Sequence, residues 1–218
     1  MAIKFFILLS LFFLLGCSPV ENGNLSKTIK AFINTEKKPL KTFNRKELEN
    51  INYPLIEART NGVVTQILML PLTIRGAYVN YSSGSGQQIT MQGALISKTK
   101  GMDVNLLSLE VLETSPLLIK TKPELWITER KRIYGFLNPL NQIVNYEFTC
   151  KFTNMGVENL TIVEKKYSLL KILEYCENTE NKFENYYWID KTGFVWKSKQ
   201  WISPKDIYAY INIINPLN

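Results

Sequence analysis

The chain has 218 residues, of which 45% are hydrophobic and 21% charged, a balance that excludes a disordered chain and a polytopic membrane protein. Its length buries one sizeable core, so a single domain is the default at roughly 100 to 200 residues per domain. Histidine is absent and 26 Lys+Arg face 19 Asp+Glu for a net charge of +7; the first fact removes most zinc sites, His-dependent triads and imidazole acid–base chemistry.

Residues 1–16 have the layout of a secretory signal. Lys4 supplies the positive start, and Phe5 to Leu15 form an apolar run interrupted by Ser10. The run is too short to cross a bilayer, which takes about 20 helical residues. It ends in Leu14-Leu15-Gly16-Cys17, which resembles the lipobox of bacterial lipoproteins. In that motif the cysteine thiol, here Cys17, takes a diacylglycerol, and attached acyl chains anchor the mature chain by about 0.8 kcal/mol per buried methylene. An ordinary secretory signal with an incidental cysteine and an uncleaved anchor are the weaker readings. Ser18 follows the cysteine where an Asp would favour retention at the inner membrane, so the outer membrane is expected, with the domain facing the periplasm.

A positive surface attracts anionic polysaccharide, lipid head groups or nucleic acid. Here the basic residues are dispersed, and the one tight triplet, Arg130-Lys131-Arg132, would point to alternate faces of a strand. An exported lipoprotein meets no duplex, so nucleic acid is not an expected partner.

Along the mature chain, residues 17–24 read as a lipidated tether and 25–218 as a single β-rich domain. Leu25, Ile29, Phe32 and Ile33 form one apolar stripe at helical spacing. The polar stretch Thr35 to Asn52 holds a turn of helix at Arg45 to Leu48. From Tyr53 the period changes to two, and strands are expected over Val63–Leu70, Ile74–Tyr81, Leu106–Leu112, Leu125–Ile133, Asn145–Phe152, Leu160–Val163, Tyr187–Ile189, Phe194–Trp201 and Ile207–Ile214. The clearest is Asn145–Phe152, where Tyr146, Phe148, Cys150 and Phe152 alternate with polar residues. Asp190-Lys191-Thr192-Gly193 reads as a hairpin turn. Tyr167 to Cys176 suits a strand or a helix. The fold class is all-β: an antiparallel meander closed or half-closed into a soluble barrel or sandwich, with a short N-terminal helix.

Candidate chemistry is sparse. Gly84-Ser85-Gly86 lacks the Lys-Ser/Thr of a phosphate loop and reads as a turn. Asp103, Glu110, Glu113 and Glu129 are carboxylates of alternating strands, and solvated outer faces are their simpler reading than a glycosidase pair. Trp126, Trp188, Trp196 and Trp201 are sugar-stacking candidates, although core packing is the commoner use of tryptophan. Trp188 and Trp196 flank one hairpin and would neighbour each other across it. Lys197 and Lys199 share a face opposite Phe194 and Trp196, as a wet side opposite a dry one requires. Cys150 and Cys176 are the cysteines remaining once Cys17 is lipidated, and an oxidising periplasm favours pairing them; two buried free thiols are the alternative.

The chain resembles the YjbF/GfcB family of group 4 capsule and exopolysaccharide lipoproteins. Three stretches carry the resemblance: Tyr53-Pro54-Leu55-Ile56-Glu57-Ala58-Arg59 with the apolar strand ending Met69-Leu70; Ala94 to Met102 with the Leu-rich segment Leu106 to Leu109; and Asn185 to Gln200 followed by Ile202-Ser203-Pro204. The resemblance implies an outer-membrane lipoprotein of polysaccharide secretion, working beside an outer-membrane β-barrel protein and a periplasmic partner. It brings no enzymatic activity, catalytic residue, metal or cofactor. Trp188, Trp196, Trp201 and Arg59 are the candidate glycan or partner contacts. A non-catalytic assembly or binding factor is the expected function. A lipid or lipoprotein carrier with an apolar barrel cavity is the alternative, and a glycan-acting enzyme would need two carboxylates about 5 to 9 Å apart in a cleft.

Overall fold

The computed structural model describes residues 44–49, 51, 53–62, 66–102, 104–112, 115, 117 and 129–217. The signal, Cys17, the tether, the stripe at Leu25 to Ile33 and Trp126 therefore lie outside the described residues. The first described element is the short helix α1 (Arg45–Glu49), which includes the expected turn of helix.

Among the described residues twelve strands follow in one antiparallel sheet. They are β1 (Leu55–Thr60), β2 (Ile67–Arg75), β3 (Tyr78–Ser82), β4 (Gln88–Gln92), β5 (Leu95–Lys100), β6 (Ser108–Val111), β7 (Arg130–Leu137), β8 (Ile143–Ile162), β9 (Lys165–Glu177), β10 (Lys182–Ile189), β11 (Val195–Ser203) and β12 (Ile207–Asn215). Each strand pairs with its sequence neighbour, except that β1 pairs with β12 and no ladder joins β5 to β6. At that seam the Thr99 N–H donates to Leu106 O at 2.9 Å. The result is the expected all-β meander, a barrel closed everywhere but at one seam.

Alternation makes the wall. Along β8, Phe148, Cys150 and Phe152 are buried while Glu147 and Lys151 are exposed, so one face packs and the other is wet. Trp201 stands at the centre of the core: its ring stacks on Phe183 at 4.4 Å and meets Tyr134, Phe136 and Phe148 edge-on at 5.1 to 5.5 Å. Each large side chain buried this way contributes about 1.5–3 kcal/mol. A smaller cluster, Leu48, Leu55 and Ile214, fastens α1 to β1 and β12.

Several strand limits differ from expectation. The run Ile74–Tyr81 is not one strand but the end of β2, a turn at Gly76-Ala77 and β3; Gly76 takes a φ of +57° that a side chain resists. Leu160 to Ile162 belong to the long strand β8 instead of forming a strand of their own. The ambiguous Tyr167–Cys176 is strand, inside β9. Asp190 to Gly193 make the expected turn, with the Gly193 N–H donating to Asp190 O at 3.0 Å and Gly193 at φ +84°. Gly84 to Gly86 lie in the β3–β4 turn, where Ser83 and Gln87 hydrogen-bond across it.

Candidate functional site

The barrel interior carries a buried polar group as well as an apolar core. Arg132 on β7 and Glu174 on β9 are both fully buried and paired at 3.0 Å. Ser115 accepts a second bond from the Arg132 guanidinium at 3.0 Å, while Asn185 Nδ2 and the Tyr187 hydroxyl donate to the other Glu174 oxygen, each at 2.9 Å. Burial, with the nearby Glu174 charge, pushes the Tyr187 phenol well up and the Tyr134 phenol up. Residues on four separate segments thus partner the two charges, which helps the barrel tolerate an ion pair away from water, although Arg132 Nε is buried without a hydrogen-bond partner. The group ties β7, β9 and β10 together across the interior.

Cys150 and Cys176 face each other directly in the β8–β9 register, with Cα atoms 4.0 Å and sulfur atoms 2.01 Å apart. Glu174 lies close to them, and a carboxylate with two sulfurs would resemble a metal-ligand set. Sulfurs joined to each other have no thiolate to offer a metal, so the cluster is not read as a metal site.

The outer face is different. The ladders align Lys171 of β9, Trp188 of β10, Lys197 of β11, Asn212 of β12 and Glu57 of β1 in one row. The next row holds Leu173, Tyr186, Lys199, Tyr210 and Arg59. Cations and rings alternate and touch. The Arg59 guanidinium lies 4.2 Å from the Tyr210 ring centre, Lys199 Nζ 4.1 Å from Tyr208 and 5.5 Å from Tyr186, and Lys197 Nζ 4.7 Å from Trp188. Lys171 Nζ sits between Tyr186 and Trp188, at 4.9 and 5.4 Å, and pairs with Glu158 at 3.2 Å. Partial burial lowers the Lys197 ammonium from its ordinary value, the Glu158 charge opposing that and the Arg59 and Lys171 charges adding to it. The Asn212 amide donates to Glu57 at 3.0 Å, and the Tyr186 hydroxyl to Glu184.

One end of the barrel contains an apolar cavity of about 240 Å³. Val79, Tyr81, Met91, Phe194, Ile211 and Ile213 are among its lining residues.

The four candidate contact residues do not form one site. Trp201 is 3% exposed and belongs to the aromatic core, so it packs and is not available to a glycan. Trp196 donates from Nε1 to Asp190 at 2.8 Å and packs on Tyr167 and Phe194, which places it at the β10–β11 turn. Arg59 is exposed on the outer face with the lysines, whereas Trp188 on the same face is buried at 7% exposure with Lys171 and Lys197 over its ring. The register pairs Trp188 with Lys197 and Ile189 with Val195, so Trp196 falls in the bulge between them and is not itself the register partner of Trp188. Lys197 and Lys199 do share the outer face, but they rest on aromatic rings instead of standing free in water. Of the carboxylates, Glu129 is exposed and faces Lys151 at 3.6 Å, and Glu110 is exposed on β6; Asp103 and Glu113 lie outside the described residues. Sequence reasoning missed Lys171, Tyr186, Tyr208 and Tyr210. The period-two spacing of Tyr186 with Trp188 and of Tyr208 with Tyr210 was the available sign.

Among solved structures, the chain is similar to the hypothetical lipoprotein YmcC from Escherichia coli K12, at 17% identity and a TM-score of 0.70 over 88% of this chain and 95% of that one. A putative exported protein with a YmcC-like fold from Bacteroides fragilis matches at 8% identity and a TM-score of 0.34, over 73% of this chain and 92% of that one. No curated protein matches significantly. The first likeness shows the fold. A family model described as group 4 capsule polysaccharide lipoprotein GfcB, YjbF matches residues 26–213, spanning every described strand except the last residues of β12, and so the chain belongs to the YjbF family of group 4 capsule polysaccharide lipoproteins.

Proposed function

We propose that the protein is a non-catalytic assembly or binding factor in the secretion of a capsule polysaccharide, held by acyl chains on Cys17 in the inner leaflet of the outer membrane with its barrel in the periplasm. The observation that carries this reading is the family match over residues 26–213. The lipobox ending in Cys17 supports the anchor. The barrel supports a binding role: its interior is occupied by the Trp201 aromatic core and the Arg132–Glu174 group, while its cationic face is turned outward. Partners on this reading are an outer-membrane β-barrel protein and periplasmic secretion proteins, with the polysaccharide itself as cargo.

Deleting the gene and restoring it on a plasmid tests the function. Surface polysaccharide should fall on deletion and return with the wild-type chain, and unchanged surface polymer in the deletion strain would overturn the reading. Co-purification from solubilised outer membrane tests the partners.

The carrier reading has one observation in its favour, the apolar end cavity. At about 240 Å³ it is below the roughly 300 to 1,000 Å³ of ordinary small-molecule sites, which restricts it to one short acyl chain. Extraction of the purified protein with organic solvent, followed by mass spectrometry, would return a stoichiometric lipid other than the Cys17 anchor if the carrier reading held.

A further inference from the structure

We propose that the outer face formed by β9, β10, β11, β12 and β1 binds a strand of acidic polysaccharide, whose carboxylates sit on Lys197, Lys199 and Arg59. This rests on the capsule reading above and specifies the chemistry of the polymer and the surface that meets it.

Ion pairing separates these three side chains from the paired lysines of the barrel. Lys131 is paired with Glu147 at 2.8 Å, Lys151 with Glu129 at 3.6 Å and Lys171 with Glu158 at 3.2 Å. Among the described residues Lys197, Lys199 and Arg59 form no ion pair, and each rests against an aromatic ring instead. A ring attracts a cation through its quadrupole and adds no negative charge. It therefore holds the head in one place and lowers the side-chain entropy still to be lost on binding, with no carboxylate at ion-pair distance among the described residues. At Lys197 the Glu158 and Glu57 charges act from further off, so Lys199 and Arg59 offer the larger share of the free charge. An ion pair would hold the head equally well and cancel it.

Spacing suits a linear polyanion. Lys197 and Lys199 are two residues apart on one strand, about 7 Å along it, and Lys199 and Arg59 flank Tyr210 across two strand spacings, about 10 Å. The rows cross five strands, about 19 Å from β9 to β1, so several sugar residues meet the face together. Tyr186, Tyr208 and Tyr210 are half-buried, and the exposed parts of their rings offer apolar surface to the C–H face of a pyranose. A neutral glycan would use the rings but leave the three charges unanswered.

The test uses the full acylated chain in detergent, with oligogalacturonate as the acidic probe and maltodextrin as the neutral one, measured by calorimetry in about 0.15 M salt. Oligogalacturonate should bind at least tenfold more tightly than maltodextrin. Arg59→Gln and Lys199→Gln should each weaken it about tenfold, Arg59→Lys should restore most of the loss, and Lys151→Gln, the same charge change elsewhere, should have little effect. Unchanged melting temperatures separate lost binding from lost folding. Absent oligogalacturonate binding, equal binding of both probes, or an equal loss in Lys151→Gln would overturn the proposal. So would binding to phosphatidylglycerol vesicles through the same residues without sugar binding, since the face would then meet lipid. Absent sugar binding with surface polymer still dependent on the gene sinks this inference alone. Unchanged surface polymer on deletion sinks the capsule reading and this inference with it.

Discussion

Gln200 Oε1 accepts the backbone N–H of Ile96 at 2.9 Å, joining the inner face of β11 to the free edge of β5. The same side chain donates from Nε2 to Ala94 O at 2.8 Å and to Ser198 Oγ at 2.9 Å. Where β5 lacks a neighbouring strand, one amide thus replaces a donor and an acceptor that a ladder would supply. The rest of that edge is met by Leu117 O, bonded to the Ala94 N–H at 2.7 Å, and by Thr99, whose hydroxyl accepts from the Leu106 N–H at 2.8 Å. Side chains and loops therefore satisfy the seam, and the edge is not left open to pair with another chain.

Gln200→Leu keeps the volume and removes the bonds to Ile96 of β5 and to Ala94 just before it. A buried backbone group without a partner costs about 1–3 kcal/mol, so the denaturant midpoint should fall clearly while m stays near its wild-type value. Amide exchange at Ile96 should speed up more than at Ile211, on the opposite wall. An unchanged midpoint would show that the seam does not depend on this residue.

Arg132→Met leaves Glu174 charged and buried with its cationic partner gone. Breaking such a pair costs about 3–5 kcal/mol, whereas replacing both members by apolar groups is often close to neutral. The double variant Arg132→Met/Glu174→Leu should therefore be more stable than Arg132→Met alone, though short of wild type, because Asn185 and Tyr187 lose their acceptor. Thermal unfolding of the three proteins measures this. Equal melting temperatures for the single variant and wild type would mean the pair contributes nothing.

The sequence made some of this legible and hid the rest for physical reasons. Alternation exposed β8, β11 and β12, because one wet face and one dry face leave a period of two. The all-β class followed from that. The β8–β9 connection was hidden because Val163 and Glu164 carry its positive φ values, +42° and +63°, where turn chemistry would lead one to seek Asn or Gly. The seam was hidden because nothing in the local pattern marks Gln200 as a partner for Ala94, 106 residues away. For the outer face, single residues such as Trp188 and Arg59 could be named, but the rows arise only from register between strands remote in sequence. Alternation put Arg132 on the face opposite Lys131, but only the closing of the barrel around it shows a buried charge.

The Cys150–Cys176 bond lends itself to a chemical test. The two residues are 26 apart, and closing a loop of this length restricts the unfolded chain by about 3.5 kcal/mol on the entropic model. The folded protein, expressed with export to the periplasm, should react with alkylating reagent at neither position until it is reduced. The Cys150→Ala/Cys176→Ala variant should unfold at lower denaturant. Two alkylated cysteines in the untreated folded protein would refute the pairing.

On the proposed reading, anchoring depends on a single atom, the Cys17 thiol. Cys17→Ala should leave the precursor uncleaved and unacylated, detected as a higher mass and a missing acyl label, and should abolish complementation of polysaccharide secretion. Normal processing of that variant, with sedimentation in the outer membrane, would remove the lipid anchor from the account.

Alkaline titration tests the buried network through its tyrosines. Burial, with the Glu174 charge, raises the Tyr187 phenol well above its ordinary value of 10.0, and a hydrogen bond to Glu184 is the largest cause raising Tyr186 to about 12. In the unfolded chain both would ionise near 10. The folded state thus holds protons that the unfolded state releases, so stability from these groups is fully present below pH 10 and is lost as pH rises from 10 toward the folded values. Phenolate absorbance should show a late phase, and Tyr187→Phe should remove amplitude from that phase and not from the early one. Glu184→Gln should move the Tyr186 contribution to lower pH, because the phenol then no longer donates to a carboxylate. Ionisation of Tyr187 near pH 10 without unfolding would mean that its hydroxyl is neither buried nor bonded to Glu174.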